Sequence, residues 1–122
     1  MHYKGSCHCG QIAFEVEGEL EAAVSCNCSI CARKGALLWA VPRDKLQLLT
    51  SGESLGRYSF NNHVIAHRFC RSCGIHPFAE DAVPKDEPTA YINIRCLEGV
   101  DLAAVPSWSS TAARCECRAH CG

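Results

Sequence analysis

The sequence predicts a mainly β protein built from small antiparallel sheets. About seven or eight short stretches show either a period of two or a sharply bounded apolar run, and turn residues separate them at close intervals. No stretch sustains the 3.6-residue period of an amphipathic helix. Cysteines gathered in C-x-C and C-x2-C hooks add a third sign, since such hooks can hold together strands too short to bury much surface.

Taken in order, Gln11 to Glu17 alternates from Ile12 onward, so Ile12, Phe14 and Val16 share one buried face, and Gly18 ends the strand. Ala22 to Cys26 reads as a second strand that delivers Cys26. A compact turn or single helical turn then runs through Cys31 and Arg33 and closes at Gly35. Leu37 to Val41 is a continuous apolar run stopped by Pro42, too short for a buried helix. Leu46 to Thr50 follows, then turn residues Ser51 to Ser54. Arg57 to Phe60 and His63 to Cys70 form a hairpin about Asn61-Asn62. Pro77, Pro84 and Pro88 break the next region into loop, and Ala90 to Arg95 alternates as a last strand. Past Leu102 the pattern dissolves, so residues 1–102 are expected to form the domain and 103–122 an irregular tail, with Ser107 to Ala113 as loop.

Length and charge narrow the function. A chain of 122 residues and 13.3 kDa fits one domain with a modest core. The formal net charge is -1, with no run of Lys or Arg, so neither nucleic acid nor a membrane surface is expected as a partner. The first residues lack the apolar core of a signal peptide, and no apolar run is long enough to span a bilayer. A cytoplasmic location is the expectation. There, 11 cysteines in clustered hooks read as metal ligands more readily than as disulfides or redox groups.

Seven early thiols divide into four and three. Glycine follows the second cysteine of Cys7-His8-Cys9-Gly10 and of Cys70-Arg71-Ser72-Cys73-Gly74, where a positive-φ turn lets backbone N–H groups approach metal-bound sulfur. Cys31 is followed by Ala32. Cys7, Cys9, Cys70 and Cys73 are therefore expected to form a closed four-thiolate zinc site. Cys26, Cys28 and Cys31 form a three-thiolate site whose fourth position is open to water or a thiol, or is completed by a His or Cys96. An open zinc site would deprotonate a thiol substrate below its usual pKa. Near these hooks, His76 is a candidate proton-handling group, and Arg33 and Lys34 could attract a substrate carboxylate. His63 and His67 read as satisfied or surface histidines, Trp39 and Phe78 as core. The tail cluster Cys115, Cys117, His120 and Cys121 follows a stretch with no strand pattern and reads as adventitious.

Gly5-Ser6-Cys7-His8-Cys9-Gly10, Cys26-Asn27-Cys28-Ser29-Ile30-Cys31-Ala32-Arg33-Lys34-Gly35 and Phe69-Cys70-Arg71-Ser72-Cys73-Gly74 resemble, in order and spacing, the glutathione-dependent formaldehyde-activating enzymes and the related centromere protein V domain. The resemblance covers residues 3–102. It implies an Mss4-like fold of several small antiparallel sheets and two zinc ions per chain. Cys7, Cys9, Cys70 and Cys73 would be the structural ligands, and Cys26, Cys28 and Cys31 the catalytic ones. The implied reaction is carbon–sulfur lyase-type addition of glutathione to formaldehyde, giving S-hydroxymethylglutathione. One departure stands out: such proteins commonly end with Pro-x-x-His-Phe-Asp-Gly-x-Asn-Trp, where this chain reads Val105-Pro106-Ser107-Trp108-Ser109-Ser110. A zinc-stabilised protein-interaction module without catalysis is the competing reading, and redox sensing through Cys28 and Cys31 a third.

Overall fold

A computed structural model describes residues 2–26, 33, 35–59, 65–82, 87–105 and 107–110. The strands are β1 (His2–Ser6), β2 (Ala13–Glu17), β3 (Ala23–Cys26), β4 (Leu38–Pro42), β5 (Leu46–Leu48), β6 (Leu55–Tyr58), β7 (Ile65–Cys70), β8 (Phe78–Asp81), β9 (Thr89–Asn93) and β10 (Ser107–Ser110). Short 3-10 turns at Arg43–Lys45, Gly52–Ser54, Ile94–Cys96 and Leu102–Ala104 punctuate them. The mainly β, antiparallel expectation holds, with a different division into sheets. Among the described residues, one sheet has three strands, ordered β1-β2-β5, and the other seven, ordered β10-β3-β4-β9-β8-β7-β6.

Ile12, Phe14 and Val16 are wholly buried, as their shared period-two face requires. Phe14 of the small sheet meets Phe78 of the large one edge-on, with ring centroids 6.2 Å apart. Trp39 packs edge-on against Tyr3 at 5.5 Å, so Trp39 and Phe78 both belong to the core. Two hairpins share one packing device. Gly5 pairs with Phe14 across β1 and β2, and Gly56 with Phe69 across β6 and β7. In each, a Cβ on the glycine would lie inside the opposite ring, so the missing side chain gives the aromatic ring room to lie across the strand.

One strand is added where the sequence reading placed no element, and two local expectations are corrected. Residues 2–6 pair with β2 although their mixed composition gives no period, because β2 supplies the apolar face. Pro77 does not keep the region after it in loop: β8 starts at Phe78 and is held between β7 and β9, because a proline just outside a strand removes no ladder bond. Ser107–Ser110 is a strand where loop was expected. It pairs in parallel with β3, Ser110 opposite Cys26, and that backbone ladder is the tertiary contact its sequence does not announce. The Asn61-Asn62 turn lies outside the described residues.

Candidate metal centre

The two outer hooks are one local structure at two spacings. The N–H of Cys7 donates to the carbonyl of Ile12 at 3.0 Å, and that of Cys70 to the carbonyl of Ile75 at 2.9 Å. Each first cysteine thus closes a turn with the residue five positions on. Within the turns Gly10 and Gly74 take φ of 84° and 80°, where a side chain would be strained. The chain can then curl its N–H groups toward sulfur. Ile12 N–H lies 3.4 Å from Cys7 Sγ, and the N–H groups of Ser72 and Cys73 lie 3.4 and 3.5 Å from Cys70 Sγ. Such donors favour thiolate over thiol.

β1 and β2 flank the first hook and β7 and β8 the second, so the meeting of the two sheets brings the hooks together. The sulfurs of Cys7, Cys9, Cys70 and Cys73 all lie within 4.8 Å of one another. Cys9 Sγ is 3.6 Å from Cys7 Sγ and 3.5 Å from Cys70 Sγ. Four thiolates about one tetrahedral zinc, with bonds of about 2.3 Å, would be about 3.8 Å apart, so this donor set fits one ion. All four are free thiols, separated far beyond the roughly 2.05 Å of a disulfide. Cys7 and Cys70 are buried, Cys73 is half-buried and Cys9 is exposed, so the cluster opens to solvent on the Cys9 side.

On that side the hooks are also clamped without sulfur. Gln11 Oε1 accepts hydrogen bonds from Ser54 Oγ and Ser72 Oγ, each at 3.1 Å. The N–H of Arg71 donates to the carbonyl of Ser54 at 2.9 Å. Gln11 follows the first hook and Ser72 sits within the second, so these contacts align the four sulfurs independently of a cation.

The protons of the cluster are unevenly held. N–H groups of Ile75 and Cys9 hold the Cys73 thiol down to about 6, and those of Cys73 and Ser72 lower Cys70. At Cys9 the Gln11 N–H pulls downward, but desolvation and the neighbouring thiols of Cys70, Cys7 and Cys73 prevail and push it up to about 11. A bound cation must displace the Cys9 proton, so metal binding releases protons and weakens in acid. The sign for Cys73 agrees. Its folded value lies below the ordinary 9.0, so the thiolate's contribution is fully present above 9.0 and is lost as pH falls through about 6. The equilibrium affinity for zinc is therefore expected to fall as the pH is lowered, and more steeply below about 6, where the metal-free Cys73 thiolate also takes up a proton; a pH series of competition titrations with a zinc-sensitive dye checks it.

Of the central motif, Cys26 ends β3, whereas Cys28 and Cys31 lie outside the described residues. So do Lys34, His63 and the tail residues Cys115, Cys117, His120 and Cys121. Arg33 is helical and exposed, and Gly35 has φ of 64°, as expected of a helical turn closed by glycine. His67 is buried on β7 rather than at the surface. His76 is half-buried beside Phe69, ring centroids 5.7 Å apart.

The turn Ile94–Cys96 was hidden in the sequence because the period-two pattern of Ala90 to Arg95 runs on through it. Buried Asn93 donates from Nδ2 to the carbonyl of His76 at 3.0 Å and to Cys96 Sγ at 3.7 Å. Its Oδ1 accepts from the Arg95 N–H at 3.2 Å. Arg95 Nε reaches across to the carbonyl of Gly35 at 3.1 Å, and Ile94 N–H donates to that of Leu37 at 2.9 Å. Burial, then the charges of Cys7 and Cys73, push Cys96 up to about 11. Cys96 is thus a neighbour of the four-thiol cluster. A side-chain amide at Asn93, three residues before a cysteine, was the available signal for the turn.

Among the described residues, no helix is long and apolar enough to cross a membrane. A solved structure similar to this chain is the crystal structure of a Rhodobacter sphaeroides protein, 34% identical, covering 86% of this chain and 99% of that one with a TM-score of 0.74. The family model described as glutathione-dependent formaldehyde-activating enzyme matches residues 2–108, which takes in all three early cysteine motifs and the first part of β10. With that match over most of its length, the chain belongs to the glutathione-dependent formaldehyde-activating enzyme family.

Proposed function

We propose that this protein is a zinc-dependent, carbon–sulfur lyase-type enzyme, Mss4-like in fold, that adds a glutathione-like thiol reversibly to a small aldehyde such as formaldehyde. Two zinc ions per chain serve it: a structural one on Cys7, Cys9, Cys70 and Cys73, and a catalytic one on Cys26, Cys28 and Cys31. The supporting observation is the convergence of the two outer hooks. It takes four of the seven early thiols into one cluster whose geometry suits a saturated tetrahedral ion, so three of the seven remain for the second ion of this reading. With three protein ligands the central set would keep a position for a visitor, and zinc held there would lower the pKa of a bound thiol so that it gives up its proton to solvent. The sulfur lone pair then forms the carbon–sulfur bond. The carbonyl π pair moves to oxygen, which takes up a proton, and the product is an S-hydroxymethyl thioether that can revert by the same path. Such a protein would act in the cytoplasm, where glutathione is abundant and thiols stay reduced.

Elemental analysis of protein folded under reducing conditions is expected to give two zinc ions per chain. Cys28→Ser is expected to lose one of them, and with it the acceleration of glutathione–formaldehyde addition, while its far-ultraviolet circular dichroism stays that of the parent. Zinc-loaded protein that speeds no thiol–aldehyde exchange would return the chain to the class of zinc-stabilised interaction modules.

A further inference from the structure

Arg95 lies at the end of the large sheet where the central cysteine motif begins. Across the large sheet Val24 of β3 pairs with Leu38 of β4, and Leu38 with Asn93 of β9. Two residues further along each chain come Cys26, Ala36 and Arg95, so Arg95 leaves the sheet at the end where Cys26 opens the central motif. β3 and β9 are separated by two strand spacings, about 10 Å. A peptide of two or three residues spans about 7–10 Å when extended, so a short peptide thiol reaches from one strand to the other.

The side chain is exposed, yet its plane is fixed. Nε donates to the carbonyl of Gly35, the residue that closes the central loop, and the Arg95 N–H is held by Asn93 Oδ1 on the buried side of the turn. Among the described residues no carboxylate pairs with Arg95, whereas Arg43 and Arg68 both bind Glu80. Its two terminal nitrogens keep the fork that matches a carboxylate. Arg33 and Lys34 precede Gly35 in the sequence, so Arg95, in the turn after β9 and some sixty residues away, adds a third positive charge next to a stretch whose sequence already carries two.

We propose that Arg95 is a specificity-determining residue that anchors a carboxylate of the thiol substrate and so selects anionic, peptide-sized thiols over neutral ones. This rests on the thiol–aldehyde activity proposed above, and its test separates the two. The zinc-loaded full chain is assayed with formaldehyde and, in turn, glutathione, glutathione diethyl ester and 2-mercaptoethanol. The parent should favour glutathione over the ester. Arg95→Ala should raise KM for glutathione about tenfold, the scale of a lost charge-assisted hydrogen-bonded pair, with kcat nearly unchanged and KM for the two thiols that carry no carboxylate unmoved. Arg95→Lys should recover part of the preference, since it restores the charge without the fork. Equal losses for all three thiols would overturn the inference, because Arg95 would then act only by holding Gly35. Unchanged KM values in Arg95→Ala would overturn it as well, with the enzyme reading left standing. A parent that accelerates addition of none of the three removes both.

Discussion

Cys70→Ser is expected to unfold the domain and to abolish binding of the structural zinc proposed for the four-thiol cluster. Cys70 is fully buried, its sulfur takes hydrogen bonds from two backbone N–H groups, and it lies 3.5 Å from Cys9 Sγ. The substitution removes one of four ligands and leaves three thiols facing one another in a site half closed to water. Zinc at such centres contributes on the order of 10 kcal/mol of folding free energy. The whole stability of a domain this size is roughly 5–15 kcal/mol, so losing that share leaves little. Thermal melts followed by circular dichroism, with bound zinc measured in parallel, test it. Cys96→Ser is the matched control: Cys96 neighbours the cluster without belonging to it, so that variant should keep its zinc and melt close to the parent. A Cys70→Ser protein with the parent's zinc content and melting temperature would contradict the assignment.

The second large effect lies in the core. Phe14→Ala is expected to cost about 3–5 kcal/mol, the range for deleting a buried aromatic side chain. Phe14 is wholly buried, lies over Gly5 and meets Phe78 from the other sheet, so the cavity would open at the seam between the sheets. The Gly5 contact supplies an internal check. Gly5→Ala alone would drive a methyl group into the Phe14 ring and destabilise the parent by roughly 1–3 kcal/mol. In the Phe14→Ala background the ring is gone, and the same substitution should cost little. A double-mutant cycle in urea denaturation measures that coupling directly, and additive effects would show that Gly5 is not glycine on account of Phe14.

The paired glycines show where sequence reading stops. Gly5 and Gly56 look like ordinary turn or loop residues in the linear chain. Only the register that sets them opposite Phe14 and Phe69 reveals that the absent side chain makes room for a ring. Gly10 and Gly74 are the reverse case. Their place directly after a second cysteine predicts a positive φ, which is what the backbone adopts, because the constraint is local. Likewise the alternation of Ile12, Phe14 and Val16 is legible, since one buried face is a property of a single strand. The strand at Ser107–Ser110 is not legible. Its pairing is lent by β3, and nothing in its own residues calls for it.

By itself the sequence determined the β class, the hook geometry and the grouping of Cys7 and Cys9 with Cys70 and Cys73, because these depend on residue type, short spacing and the donor chemistry of sulfur. Tertiary structure alone decided that the strands form a three-stranded and a seven-stranded sheet, that Gln11 clamps the hooks through Ser54 and Ser72, and that Arg95 lands on Gly35. Those contacts join residues roughly forty to sixty positions apart. Whether such partners meet depends on sheet order and register, which the packing of two faces against each other fixes and no local pattern encodes.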